Sequence, residues 1–388
     1  MRHGATGSVA RKMKAAGIRR QWCDLQARRR NQLSHARLVR LPLGSRLRRH
    51  ARTLLILAMH LTLVLPSLLS LPREVLAAAP ALPALVRRAS TPRHEPAGID
   101  AALLAAAQMP PDTPLAPLAA RGAGIDIGAD AMARADPIAL VAGRDDVLLG
   151  GRVDDLSAAD AEAMVARMNT HFAGDGLVFI APRPNTWFVR LIGIAPPQTT
   201  SLVQVHGAMH AHLPRGNKAG QWKRWLSEMQ MLLHDDPRNA ARERMAQAPV
   251  TGIWIADAGT AVSPSSADTV QWFAAAGRDG DVVRGLAPRG PSSVPVPPPN
   301  FAQVPAARNS IVVLPALQNA QDLAAAGTAW ITPALAALDQ RTLTTVTVIA
   351  DDGRGAFVWD PRPLSWWSRW RESSRATSFV PPIAPTST

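Results

Sequence analysis

Residues 59–69 read Met59-His60-Leu61-Thr62-Leu63-Val64-Leu65-Pro66-Ser67-Leu68-Leu69, and the class of the whole chain turns on them. They belong to a longer run, 53–72, that carries no formal charge and is long enough to cross a bilayer as a helix. Under that reading the preceding arginines stay in the cytoplasm. If the run is instead a signal h-region, Ala77-Ala78-Ala79 offers a cleavage neighbourhood. Pro66 falls where an uninterrupted helix is wanted, and the 52 residues ahead of the run far exceed a signal n-region. A β-branched and leucine stretch that ends in a Pro-Ser turn predicts a buried first strand instead.

The charge distribution points the same way. The 388 residues carry a formal net charge of +14, which over a whole domain suggests a nucleic-acid or membrane binder. Residues 1–58 hold 15 Lys or Arg and one acid, Asp24, so the excess sits entirely there. Residues 59–388 balance 28 bases against 28 acids. We therefore expect 1–58 to be a disordered basic extension, upstream of a natural start at Met59 or dispensable. No nucleic-acid partner is expected for 59–388, and a membrane partner only if 53–72 is an anchor. A cytoplasmic protein is expected, with an inner-membrane-anchored or exported one as the alternative. The single cysteine, Cys23, excludes an intramolecular disulfide framework and a multi-cysteine metal site.

Beyond the first strand, Arg73 to Ala89 predicts a helix, 90–98 a loop, and Ile99 to Gln108 a short helix stopped by Pro110-Pro111. Strand character returns over Pro137 to Leu149, around a Gly-Arg-Asp-Asp turn. Ser157 and Asp160 form a near capping box before a stripe of Ala161, Met164, Val165, Met168 and Phe172. Leu177 to Ile180 and Thr186 to Ile192 predict a strand pair. The strongest helix runs from Asn217 to His234, its apolar face built on Trp222, Trp225, Leu226, Met229, Leu232 and Leu233. A second helix, capped by Asn239, follows through Met245, and Val250 to Ile255 predicts a buried strand. Residues 288–299 (PRGPSSVPVPPP) cannot pack regularly and predict a loop or linker between a 59–287 part and a 300–388 part. The latter holds strands at Ile311 to Leu314, Thr345 to Ile349 and Ala356 to Trp359. Between the first two lies a helix, Asn319 to Leu338, broken near Pro333. A Trp- and Arg-rich helix, Leu364 to Arg371, and a disordered tail complete it. The alternation predicts an α/β protein, a mixed sheet with flanking helices.

Candidate chemistry lies in three places. His206, His210 and His212 have the spacing of metal ligands on a helix or strand, but Gly207 and Pro214 favour an exposed polar loop. Glu228, Gln230, His234, Asn239 and Arg242 cluster at the end of the strongest helix, where carboxylate, imidazole and guanidinium could grip a small anionic ligand. Charge complementarity at the helix end explains His234 equally. Asp351 and Asp352 follow a strand, where open α/β sheets bind ligands and metals, although Asp-Asp-Gly is also an ordinary turn. No cofactor is expected; a divalent metal enters only if the protein is an enzyme. Gly-rich phosphate loops, nucleophile elbows and Cys-His pairs are absent from the sequence.

Several segments carry a resemblance. Arg224 to His234, with Pro237, Asn239, Ala241-Arg242 and Pro249-Val250, resembles the signature of the proteobacterial RpfE-type regulatory proteins. Leu61 to Leu69, Arg134-Ala135-Asp136-Pro137, His171 to Leu191 and Arg284-Gly285-Leu286-Ala287 add to it, so the resemblance spans roughly 59–371 in order. It implies a regulatory role, exerted through a ligand or a protein partner and without an established reaction. It also implies a degenerate form of the alkaline-phosphatase or phosphoglycerate-mutase-like fold. Such enzymes end an early strand in a metal-binding Asp and a late one in Asp-His-Gly. Here the corresponding positions read Leu65-Pro66-Ser67 and Asp351-Asp352-Gly353, so the resemblance implies a lost catalytic centre, with a divergent phosphomutase or phosphatase as the alternative. Mass spectrometry of the natural protein is expected to find Met59 at its start; an intact peptide from 1–52 overturns that expectation.

Overall fold

The computed structural model describes residues 59–89, 91–263, 270–305, 309–364 and 379–382. The expectations for 1–58 and most of the Trp- and Arg-rich tail fall outside the described residues. The elements run β1 (His60–Leu65), α1 (Arg73–Ala78), α2 (Ala81–Arg88), β2 (Arg93–Glu95), α3 (Gly98–Ala106), α4 (Leu115–Gly122), β3 (Ala131–Ala142), β4 (Val147–Arg152) and α5 (Ala158–His171). Next come β5 (Leu177–Arg183), β6 (Thr186–Leu191), α6 (Ala219–His234), α7 (Pro237–Arg244), β7 (Gly252–Gly259), β8 (Val270–Ala274) and α8 (Arg278–Leu286). The chain closes with β9 (Asn309–Val313), α9 (Ala320–Ala326), α10 (Thr332–Asp339), β10 (Thr345–Asp351) and β11 (Ala356–Trp359). The class is α/β, with mixed sheets and flanking helices.

The opening stretch forms the strand its pattern predicts, so most of the 53–72 run is strand and turn rather than a spanning helix. No helix among the described residues is long and apolar enough to cross a membrane. β1 sits inside a six-stranded sheet of order β2-β11-β10-β1-β9-β8. It pairs in parallel with β10, His60 opposite Thr345, and with β9, Leu61 opposite Ser310. β8 continues the parallel set, while β11 and β2 run antiparallel at the other edge. A parallel strand inside a sheet buries both faces. Leu61, Leu63 and Leu65 pack with Leu82, Trp330 and Leu335, and Val64 faces Leu103, Val283 and Leu286 on the other side. Each of these fully buried aliphatics contributes roughly 1.5–3 kcal/mol.

Because β1 lies between strands from beyond residue 300, the 59–287 and 300–388 parts interleave in one sheet. Residues 57–388 form one compact unit. The Pro-rich 288–299 segment is a loop along the sheet margin: the Ala274 N–H donates to the Pro295 carbonyl and Val294 is buried. Prolines there present few donors to a further strand.

The second sheet has the order β4-β3-β6-β5, with β7 on the other edge of β3. β3 is longer than its alternation suggests, because residues 131–136 are buried throughout. Its 131–134 segment pairs with β6 and its 138–142 segment with β4. Pro137, which has no N–H to donate, falls in the gap between them. Met164, Met168, Trp187, Trp222 and Trp225 fill the core between this sheet and α5 and α6. Ser157 caps α5 as its sequence predicts, accepting from the Asp160 N–H.

Other boundaries shift for local reasons. The predicted 73–89 helix divides at Ala79-Pro80, and β2 occupies part of the predicted 90–98 loop. A π turn over Gly327–Ile331 precedes Pro333, whose missing N–H would leave a carbonyl unbonded in a regular helix. Asp236, not Asn239, caps α7, with Pro237 at the first turn where its lost donor costs nothing. α4, β8 and α8 have no counterpart among the sequence expectations. α4 and α8 meet through glycines: a Cβ on Gly285 would lie 1.9 Å from the Leu118 carbonyl oxygen. Backbone cannot rotate away as a side chain can, so Gly285→Ala is expected to destabilise the protein by about 3 kcal/mol in denaturant unfolding.

Candidate functional site

The parallel strands β1, β8, β9 and β10 all point their carboxyl ends into one cleft of about 670 Å³. Such an edge is where open α/β sheets receive ligands, because the chain must leave each strand in a loop there. Pro66-Ser67, Ala275 to Gly280, Val313 to Ala316 and Asp351 form the floor and one wall. The first turn of α3 and residues from β3, β4 and the β5–β6 turn complete it, bringing Asp100, Arg134, Arg152, Asn185 and Thr186 to the same space.

Ser67 leaves β1 in the left-handed region at φ 61, a conformation that costs a non-glycine residue energy and is held by its surroundings. Its N–H donates to Asp351 Oδ1 at 2.6 Å, which ties the end of β1 to the end of β10. Burial pushes the Asp351 carboxyl above its ordinary pKa, against the pull of N–H donation from Ser67 and Gly353.

Arg134 forms the deepest part of the polar wall, with 3% of its side chain exposed. Its Nη1 donates to Asp100 Oδ2 at 2.6 Å and lies 3.5 Å from Asp257 Oδ2. A β-bulge delivers Asp257. Between the pairs Met132–Gly259 and Arg134–Ala256, β7 carries one extra residue, and Asp257 takes φ 57. Burial raises the Asp257 pKa, with Arg134 opposing. Arg134 Nη2 and Asp100 Oδ1 are buried and find no hydrogen-bond partner among the described residues.

Arg278, at the start of α8, grips the fully buried Asp136 of β3 through two hydrogen bonds, one of them 2.9 Å from Nη2 to Oδ2. Burial alone would raise the Asp136 pKa; the charge and hydrogen bonds of Arg278 outweigh it and hold the carboxyl below its ordinary value. At the rim, Arg152 pairs with Asp154 at 2.6 and 3.0 Å. Among the described residues Asp279 has no such partner. Burial, then the charges of Asp100 and Asp351, push its carboxyl up to about 7, with Arg278 and Arg134 only partly offsetting them.

Of the residues singled out in the sequence, Asp351 alone reaches the cleft. Asp352 closes the following turn, its Oδ1 accepting from the N–H groups of Arg354 and Gly355 at 2.9 and 3.0 Å. His210 lies 2.9 Å from Asp146, and His212 bonds the His206 carbonyl at 2.8 Å, so the three imidazoles share no centre. The α6–α7 group also lines no part of the cleft. Asn239 is buried and bonds the Leu233 and Val250 carbonyls at 2.7 Å and the Val250 N–H at 2.8 Å, stapling the helix pair to the approach to β7. Arg242 is buried against the Ala248 carbonyl and Asp155. Glu228 pairs with His171 and Arg224, while Gln230 and His234 are exposed.

Asp100, Arg134, Arg278 and Asp279 were missed by sequence reasoning. Arg134 and Asp136 stood in a quoted motif, yet no local pattern tells that their partners lie 34 and 142 residues away. Nor do these residues fit a two-metal phosphoryl-transfer centre. Among the described residues no histidine lines the cleft, β1 is followed by Pro66-Ser67, and Asp136, Asp100 and Asp257 are engaged by arginines. Among the described residues no three His, Cys, Asp or Glu side chains are placed to hold a metal ion.

The raised Asp279 pKa carries a prediction with a definite sign. A carboxyl that holds its proton more tightly when folded contributes stability below its unfolded pKa of about 4, and that contribution is lost as pH rises through about 7. Asp279→Asn removes the term. Urea unfolding at pH 4.5, 6 and 7.5 is expected to show a smaller loss of stability with rising pH in the variant than in the parent.

No family model matches the chain, and no curated protein matches it. Among solved structures, it is similar to a cofactor-independent phosphoglycerate mutase from Thermoplasma acidophilum at 15% identity and a TM-score of 0.38, covering 79% of this chain and 90% of that one. It is also similar to the PH0037 protein from Pyrococcus horikoshii, at 14% identity and a TM-score of 0.42, covering 79% and 87%. These are likenesses of architecture at low identity, and the chemistry of the cleft is read from its own residues.

Proposed function

We propose that this protein binds a small polar molecule in the cleft at the carboxyl ends of the parallel strands, and that it acts as a ligand-dependent regulator rather than as an enzyme. One observation carries the reading: the ion pair of Arg134 and Asp100 leaves one guanidinium nitrogen and one carboxylate oxygen buried without a hydrogen-bond partner among the described residues. Each such group costs about 1–3 kcal/mol, which a bound molecule satisfying both would recover. A volume of about 670 Å³ suits a metabolite-sized ligand. The regulatory character and the RpfE-type kinship rest on the sequence resemblance of 59–371. The non-catalytic reading is supported by the engagement of Asp100 and Asp154, two of the four carboxylates that line the cleft, in ion pairs with Arg134 and Arg152.

A second reading, a phosphatase- or phosphomutase-like enzyme, is favoured by one group. A carboxyl with a pKa of about 7, as at Asp279, exchanges a proton at neutral pH as general acid–base catalysis needs. Ala276 is exposed at the cleft wall, so Ala276→Trp fills the space without disturbing the core. In a thermal-shift screen of small polar metabolites, binders are expected to raise the Tm of the parent but not of Ala276→Trp, whose unliganded Tm stays unchanged. Mn²⁺-dependent hydrolysis of p-nitrophenyl phosphate is expected to be absent; turnover lost in Asp279→Asn would favour the enzyme.

A further inference from the structure

The balance of charge and hydrogen-bonding groups in the cleft narrows the ligand, on the premise that the cleft is the ligand site. Two arginines that reach the space are already matched, Arg278 by Asp136 and Arg152 by Asp154. Arg134 is shared between Asp100 and Asp257. Among the described residues Asp279 and Asp351 have no cationic partner at hydrogen-bond distance, so where these carboxyls are ionised the unbalanced charge facing the ligand is negative. An anionic ligand would meet repulsion there, and a cation would meet attraction strengthened by the low-dielectric wall. An ammonium group supplies that charge together with donors for carboxylate oxygens.

The polar wall asks for something else. Arg134 Nη2 is a donor without an acceptor, and Asp100 Oδ1 is an acceptor without a donor; both are buried and belong to the same ion pair. A hydroxyl is the simplest group that accepts from one and donates to the other. The surrounding wall adds further polar positions at Asn185 and Thr186.

We propose that the cleft binds a polyhydroxylated amine, an amino sugar or close analogue, with its ammonium toward Asp279 and Asp351 and a hydroxyl between Arg134 and Asp100.

Calorimetric titration of the full chain with four probes tests this: glucosamine, glucose, N-acetylglucosamine and cyclohexylamine. Glucose and N-acetylglucosamine lack the cation, and cyclohexylamine lacks the hydroxyls. Glucosamine is expected to bind at least about tenfold more tightly than each of the others, a margin of roughly 1.4 kcal/mol. Asp279→Asn is expected to erase its advantage over glucose. Equal or weaker binding of glucosamine overturns the ligand class. The cleft reading survives that failure if the preferred probe is lost in Ala276→Trp, and falls with it if Ala276→Trp binds every probe as the parent does. If no probe binds, the amino-sugar class is overturned, and the metabolite screen decides the cleft separately.

Discussion

Three arginine–aspartate pairs tie the two sheets together around the cleft, adding directional contacts to the apolar core they share. Arg134 of β3 meets Asp100 of α3, Arg278 of α8 meets Asp136 of β3, and Arg183 of β5 meets Asp281 of α8. Each joins a strand of the second sheet to a helix packed on the parallel sheet. Two of the aspartates are covered almost completely, with 0% and 2% of the Asp136 and Asp281 side chains exposed, and Asp100 keeps 13%. Removing one partner from such a pair leaves an uncompensated charge inside the protein, at a cost of about 3–5 kcal/mol. Apolar packing alone would leave the two sheets freer to slide; directional pairs at three points do not.

The same pairs determine the electrostatics of the space they enclose. Arginines spent on the framework cannot neutralise Asp279 and Asp351, and burial then drives both carboxyls up. The left-handed backbone at Ser67, and at Asp257 in the bulge behind Arg134, adds local strain around the cleft. Strain and unpartnered polar groups persist where the surroundings over-determine them, which is characteristic of sites that meet a ligand. That all of these gather at the carboxyl ends of parallel strands follows from topology, since the neighbouring loops diverge there and leave room.

Much of the architecture was legible because its signals are local. The β1 pattern, the Ser157 cap and the apolar stripe of α6 each depend on residues within a few positions, and each element formed where expected. Where local signals misled, neighbouring chain had intervened. Asn239 has the chemistry of a cap, but Pro237 moved the helix start forward and left Asn239 to bond the Val250 backbone. β8 and α8 gave no signal: one is five residues long, and the other carries two glycines, Gly285 packed against α4 and Gly280 against the Ala275 carbonyl at the end of β8.

The sequence by itself located the charge excess in 1–58, favoured a strand at the start of 59–69 over an anchor, and pointed to an α/β chain. These conclusions rest on composition and short-range periodicity, which need no knowledge of what lies across the fold. Only the tertiary structure decided that Asp100, Arg134, Arg278, Asp279 and Asp351 share a cleft while Glu228, Asn239 and Arg242 do not. Parallel pairing brings residues some 250 positions apart to a common edge, and a carboxylate becomes structural or available according to whether an arginine reaches it. That assignment is made by distance in space, which a linear pattern of charges does not encode.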